Sequence, residues 1–166
     1  MKTLVNLAAA LVLGAGAAGA QELIDRGMVH GWNVMVDPAY GNGCLIQAPF
    51  EENAVVRIGY DVTGNRGYLV IFDPDWGDIR EGETRNVTFE LDGDRFDAVA
   101  TGLRLHHVPG AGLFFNDRNF IHDIAARSSM VVYDGAGKPV IGFSLDGTAK
   151  ALDYARKCQD EMGWGG

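Results

Sequence analysis

The histidines are the first residues of this sequence that could do chemistry. His106 and His107 are adjacent in the segment LRLHHVPG, whereas His30 and His122 stand alone. A zinc site needs imidazole or thiolate ligands at fixed spacings, such as two histidines four residues apart on a helix. Adjacent residues of a strand point to opposite faces, so the histidine pair cannot bind one metal ion without a bulge. The sequence therefore predicts no metal site and no cofactor, with the histidines in turns or on the surface.

The acidic segment FDPDWGDIREGE, residues 72–83, is similar in composition to a calcium-binding loop. Asp73, Asp75 and Asp78 would occupy positions 1, 3 and 6 of such a loop. A helix–loop–helix calcium loop requires an oxygen ligand at position 5, glycine at position 6 and glutamate at position 12. Here position 6 is an aspartate and position 12 is a threonine. We therefore predict a solvated acidic turn, with Trp76 folded onto its base.

Serine chemistry is poorly supported by the sequence. The chain has no GxSxG elbow, and Ser128, Ser129 and Ser144 lie in or beside predicted strands. It also lacks a glycine-rich phosphate loop that leads into a helix. With 22 acidic residues, some carboxylates pair by chance, and a glycosidase-like dyad is left open. We predict no catalytic residue, and the enzymatic alternative is a small hydrolase that uses His106 or His107 with a nearby aspartate.

Aromatic side chains could form an exposed binding surface. Aromatic residues in strands more often lie in the core, because they dominate the buried area. Phe114 and Phe115 are adjacent on a predicted strand, so one of them is expected to face outward. Together with Trp76, His106 and His107, they form the predicted binding surface.

The N-terminus has the pattern of a secretory signal peptide. A lysine forms a short positive n-region, residues 4–13 are an apolar stretch, and small residues end at Ala20. The stretch is too short to span a bilayer. We therefore predict a signal peptide over residues 1–20 that is cleaved after Ala20, a periplasmic location, and a single domain over residues 21–166.

The charge balance limits the class of partner. Removing the one lysine of residues 1–20 from the 14 basic residues leaves 13, against 22 acidic residues, a formal net charge of −9. This balance argues against nucleic acid or an anionic lipid surface, because both attract a basic patch. No later segment approaches the roughly 18 apolar residues of a membrane span. We expect a protein partner, and no spanning of the membrane.

Cys44 and Cys158 are the only cysteines of the chain. Exported compartments are oxidising, so an even number of cysteines favours a disulfide, and two cysteines allow one intramolecular bridge. Two buried free thiols and an intermolecular bridge are the alternatives.

Short strand-like runs dominate residues 30 to 145. β-Branched and aromatic residues alternate with polar ones, and Gly, Asp and Asn separate the runs. The predicted strands are 31–37, 53–62, 67–73, 84–93, 95–105, 112–116, 128–137 and 139–147. The pattern predicts an antiparallel β-sandwich or barrel-like domain.

Two segments depart from the strand pattern. Apolar residues at helical spacing predict a short helix or helical turn within residues 116–127. A longer helix is predicted over residues 148–159, with Thr148 as its N-cap. Its apolar face comprises Ala151, Leu152, Ala155 and Cys158. A bridge from this face to the other cysteine would fasten the helix to the start of the β domain.

Two motifs resemble those of the small exported proteins of the invasion-associated locus B type. An early Trp-x-Val strand leads to a cysteine, and a late strand end opens into an alanine-rich helix. The matching residues are Trp32, Val34, Cys44, Ser144, Leu145, Gly147, Ala151 and Leu152. Typical members carry a cysteine soon after the tryptophan strand and a further pair in the middle; this chain has Asp37 there and no middle pair. The resemblance implies a β-sandwich-like periplasmic protein of the cell envelope and carries over no catalytic residue.

The expected function is a non-enzymatic periplasmic binding or accessory protein of the bacterial cell envelope. Its partner would be another envelope or secreted protein. One alternative is an inhibitor or immunity protein for an envelope toxin, because a net charge of −9 could complement a basic partner. The other alternative is the small envelope hydrolase.

Overall fold

The computed structural model describes residues 22–50 and 53–163. The predicted signal peptide, residues 1–20, lies outside the described residues. The described residues form ten strands, two α-helices and one short 3-10 helix (Pro38–Tyr40). The strands are β1 (Ile24–Val29), β2 (Trp32–Asp37), β3 (Gly43–Pro49), β4 (Val55–Asp61), β5 (Arg66–Phe72), β6 (Thr84–Leu91), β7 (Asp94–Leu105), β8 (Val108–Phe115), β9 (Ser129–Tyr133) and β10 (Pro139–Ser144). The α-helices are α1 (Phe120–Ala125) and α2 (Thr148–Glu161).

All ten strands belong to one antiparallel sheet. Their order is β1-β2-β3-β4-β5-β8-β7-β6-β9-β10, so β1 and β10 are its edges. The sheet curls back on itself without closing. Phe50, which follows β3, lies 5.1 Å from Phe143 of β10 between ring centroids. The indole N–H of Trp32 donates to the Asp146 carbonyl at 3.1 Å. The predicted antiparallel β domain with a C-terminal helix is confirmed.

The main core lies inside the curled sheet. It is built from alternate residues of the strands, including Val34, Ile46, Ile58, Leu69 and Phe89. Burying each such side chain contributes about 1.5–3 kcal/mol relative to exposure. No described helix is long and apolar enough to cross a bilayer.

A second apolar cluster covers part of the outer face. Leu45, Tyr68, Val70 and Phe72 are buried there. Residues of β5 are therefore buried on both faces, which explains its continuous apolar run.

The strand pattern did not predict β1 or β3. β1 is an edge strand whose residues are mostly exposed, and its pairing is irregular between Asp25 and Gly27. β3 is buried on both faces, so it lacks alternation. β8 begins at Val108, before the start predicted at residue 112. Glycine at 110 is required there because a Cβ would press against the ring of Phe72 on β5.

Helix α2 packs against β2 and β3 through the predicted face. Ala151, Leu152, Ala155 and Cys158 are all buried. Cys158 forms a disulfide with Cys44 of β3, with 6.2 Å between the Cα atoms. The predicted internal bridge is confirmed, and neither cysteine is free.

The predicted N-cap of α2 is wrong. Gly147 occupies the cap position with a φ of +78°, and Thr148 is the first helical residue. The Thr148 hydroxyl is buried and has no hydrogen-bond partner among the described residues. Glycine is required at 147 because a Cβ would overlap the carbonyl oxygen of His30. Close packing of Gly147 on the β1–β2 turn at His30 therefore overrides the local capping preference.

The short helix predicted within residues 116–127 is confirmed as α1. Ile121, Ile124 and Ala125 are buried, and they face the core at the spacing that the sequence predicted. Phe120 joins Phe89, Phe96 and Phe115 in an aromatic cluster, within which the Phe115 and Phe120 rings lie 4.9 Å apart. This cluster fills the interior of the sheet at one end.

Candidate functional site

The interior of the curled sheet contains a cavity of about 210 Å³, which we call the end cavity. It lies at the opposite end of the strands from the aromatic cluster. Its floor and walls are apolar and come from β5, β6, β7, β8 and β9. Leu69, Ile71, Val87, Ala100, Ala111 and Leu113 line it. Pockets for drug-sized ligands span about 300–1,000 Å³, so the end cavity suits one aromatic ring or a short branched chain.

Small residues on the neighbouring strands β7 and β8 create this space. β7 carries Ala100 and Gly102 along the cavity wall, and β8 carries Ala111 opposite them. Protein interiors are otherwise close-packed, so a row of small side chains beside large ones leaves unfilled volume. The sequence signal is the run AVATG, residues 98–102, which breaks the otherwise bulky pattern of inward residues.

The 73–83 loop, which joins β5 to β6, covers one side of the end cavity. Trp76 and Ile79 are half-buried and line the cavity. The loop is fastened to β7 by hydrogen bonds from the Gly82 amide to the Gly102 carbonyl, at 2.9 Å, and from the Gly102 amide to the Glu83 carbonyl, at 2.7 Å. The Arg104 guanidinium on β7 adds a bond to the Ile79 carbonyl, at 3.2 Å. The loop is therefore a fixed wall of the cavity.

The start of the loop is a hydrogen-bonded turn. The Asp73 carboxylate accepts from the Asp75 amide at 2.9 Å, and the Trp76 amide donates to the Asp73 carbonyl at 3.2 Å. Among the described residues, no three or more His, Cys, Asp or Glu residues lie close enough together to hold a metal ion. Trp76 is half-buried and packs against the main core.

Charged side chains surround the opening of the end cavity. Asp78, Glu83, Arg85 and Asp134 all contribute to it. Arg85 donates from Nε to Glu83 at 2.8 Å and lies 3.7 Å from Asp78. The hydrogen bond from Arg85 holds the pKa of the Glu83 carboxyl below its usual value. Two carboxylates, Glu83 and Asp78, thus share one guanidinium at the opening of an apolar cavity.

The predicted binding-surface residues do not form one patch. Trp76 lines the end cavity. Phe115 points into the aromatic cluster, whereas Phe114 belongs to the outer cluster, where the Arg66 guanidinium lies 4.0 Å from its ring centroid. The adjacent phenylalanines thus lie on opposite faces, as strand geometry predicts.

His106 and His107 form the exposed turn between β7 and β8. His106 has a φ of +55°, a left-handed conformation that is uncommon outside glycine. Within the described residues, neither imidazole is hydrogen-bonded to an aspartate or a serine side chain. The geometry therefore gives the predicted hydrolase pair no support.

A tyrosine–histidine pair that the sequence did not predict joins α1 to β4. Tyr60 Oη lies 2.7 Å from His122 Nε2. Burial raises the pKa of Tyr60 to about 12, so the phenol stays protonated. Burial, followed by the nearby positive charge of Arg156, lowers the pKa of His122, while Asp153 and Asp123 oppose that shift. The pair is thus a hydrogen bond between two neutral side chains that links β4 to α1.

We expect the Tyr60–His122 pair to make stability depend on pH. The pKa of His122 is lower in the folded state, so its contribution to the free energy of unfolding is complete above about pH 6.5 and is lost as the pH falls below that value. The loss of unfolding free energy between pH 7.5 and pH 5, measured by urea unfolding, should be smaller for His122→Gln than for the unmodified protein. His107→Gln, in the exposed turn, is the control and should leave the loss unchanged. Equal losses for His122→Gln and the unmodified protein would contradict this assignment.

Comparisons with known proteins bear on the fold. No family model matches the chain, and no curated protein matches it. Among solved structures, the fold is similar to the crystal structure of invasion associated protein B from Bartonella henselae, with a TM-score of 0.56 and 13% sequence identity. The match covers 81% of this chain and 97% of that chain. The resemblance noted in the sequence is therefore supported at the level of the fold.

Proposed function

We propose that this protein is an exported, non-enzymatic binding protein of the bacterial cell envelope, and that its end cavity receives an apolar group of the partner. The end cavity is the observation that carries the proposal. A concave apolar site with a few polar groups at its opening is the usual form of a binding site, and the openings of curled sheets are a common place for it.

Export and the envelope assignment have separate support. The pattern of residues 1–20 is that of a secretory signal peptide. The Cys44–Cys158 disulfide suits an oxidising compartment such as the periplasm. The fold is shared with a protein whose name refers to invasion, which supports an envelope role by analogy.

Binding is favoured over catalysis because the guanidinium at the cavity opening is already paired with carboxylates. Arg85 is held by Glu83 and Asp78 in ion pairs at the surface. The cavity interior offers aliphatic and aromatic surface to a ligand. An inhibitor of an envelope toxin would use the same surface, so that alternative concerns the identity of the partner rather than another mechanism.

Titration with indole tests whether the end cavity binds an apolar group. Indole is a neutral ring of suitable size, and we expect weak binding, with a Kd on the order of 1 mM. Shifts in ¹H–¹³C methyl spectra should concentrate at Leu69, Ile71, Leu113 and Val132.

A cavity-filling variant locates the site. Ala111→Leu extends a side chain into the end cavity and should weaken indole binding by about 10-fold or more, because the ring loses the space it would occupy. Ala126→Leu adds the same bulk at an exposed position after α1 and should leave the affinity unchanged. Absence of indole binding, or equal binding by both variants, would disprove the proposed function.

A further inference from the structure

The opening of the end cavity continues into a second, shallow recess. That recess is polar, and Asp78, Arg80, Glu81, Gly82, Glu83 and Arg85 line it. Three of these residues, Asp78, Glu83 and Arg85, also line the end cavity. A ligand that fills the cavity and extends beyond it therefore meets charged groups at once.

The two recesses together carry more negative than positive charge. The acidic side chains are Asp78, Glu81, Glu83 and Asp134, and the basic ones are Arg80 and Arg85, a formal excess of two negative charges. Arg85 is engaged by two of these carboxylates. Asp78 keeps 82% of its side chain exposed and can accept a further cation. The charge around the cavity is complementary to a cationic ligand.

The edge strand β10 borders the same cavity. Val140 of β10 lines the end cavity, and 43% of the residue is exposed. Within the described chain, β10 pairs with β9 alone, so its other side offers backbone groups to an added strand. Extended peptides bind to exposed sheet edges in this way, and pockets beside the edge select their side chains. A polypeptide therefore fits these features better than an isolated small molecule does.

We infer that the end cavity takes an aromatic or branched aliphatic side chain from a cationic polypeptide segment. The segment lies beside the free edge of β10, with its basic residues facing Asp78 and Glu81. The inference rests on the proposed function, because it requires the end cavity to be a binding site, and it adds the chemical class of the partner.

Short blocked peptides test the inference by calorimetry or NMR titration. The probes are Ac-Lys-Phe-Lys-NH₂, Ac-Glu-Phe-Glu-NH₂ and Ac-Lys-Ala-Lys-NH₂. At about 20 mM salt we expect the first to bind about 10-fold more tightly than either of the others. The difference between the two phenylalanine peptides should shrink at about 0.5 M salt, where exposed charges are screened.

Two double variants, each of which replaces two carboxylates by neutral amides, show where the preference for the lysine peptide arises. Asp78→Asn/Glu81→Gln removes two exposed carboxylates of the recesses and should reduce the preference for the lysine peptide to about 3-fold or less. Asp123→Asn/Asp160→Asn removes two exposed carboxylates of the helices, outside both recesses, and should preserve the preference.

The outcomes separate this inference from the proposed function. If indole binds in the end cavity but the lysine and glutamate peptides bind equally, the inference is wrong and the proposed function stands. Tighter binding of the glutamate peptide, or the same loss of preference in both double variants, also overturns the inference. If indole does not bind, both fall.

Discussion

Replacing both Cys44 and Cys158 by alanine should lower the free energy of unfolding by about 3–5 kcal/mol. The disulfide closes a loop across a sequence separation of 114 residues. In the chain-entropy model a loop of this length removes about 4–5 kcal/mol of unfolded-state entropy, and strain or residual structure reduces the measured figure. Typical domains are stable by about 5–15 kcal/mol, so the loss would be a large fraction of the total. Urea unfolding followed by far-UV circular dichroism measures it.

The double alanine variant has an internal control in the reducing agent. Dithiothreitol in the unfolding buffer should lower the stability of the unmodified protein towards that of the variant, and should leave the variant unchanged. Peptide mapping without reduction should recover the Cys44–Cys158 pair from the unmodified protein. A variant as stable as the oxidised protein would mean that the bridge does not hold α2 to β3.

Replacing Gly102 by alanine should detach the 73–83 loop from β7. A Cβ at this position would overlap the carbonyl oxygen of Arg80, and a backbone oxygen cannot rotate away as a side chain can. The loop must move, which breaks its backbone hydrogen bonds to Gly102. We expect a loss of about 2–3 kcal/mol in the free energy of unfolding. Because Trp76 then leaves the cavity wall, indole binding should weaken by about 10-fold as well.

Gly77→Ala is the matched control for Gly102→Ala. Gly77 lies in the same 73–83 loop, and a Cβ there meets no atom within 4 Å. Stability and indole affinity should both stay close to those of the unmodified protein. Backbone amide exchange in the loop should accelerate in Gly102→Ala and not in Gly77→Ala. Unchanged exchange in both variants would show that the loop does not depend on the close approach at Gly102.

The architecture was largely predictable from local patterns. Residues 84–93 alternate with the period of a strand, and the apolar face that ends at Cys158 has the period of a helix. Both periods can be read from the order of residues along the chain. β1 and β3 were not predictable in the same way. β1 is an exposed edge strand and β3 is buried on both faces, so neither has one apolar and one polar side.

The candidate site was only partly predictable. Trp76 was named from the sequence, and the structure places it in the wall of the end cavity. Ala100 and Ala111 were not named, because small residues mark a cavity only once the neighbouring strands are known. The predicted binding surface grouped the histidines of the β7–β8 turn with Phe114 and Phe115 by residue type alone. In the sheet these residues are apart, because the histidines lie in an exposed turn and the phenylalanines lie on opposite faces of β8.

The sequence by itself determined the class of fold and the helix α2, and it favoured a short helix or helical turn at α1 and the pairing of Cys44 with Cys158. These depend on periodicity and on a count of two cysteines, which need no knowledge of distant contacts. Only the tertiary structure decided that β5 and β7 lie on either side of β8, and that the 73–83 loop closes over them. The end cavity exists because of that arrangement: its walls come from strands far apart in the chain, and volume left between them is a property of packing rather than of local residue order.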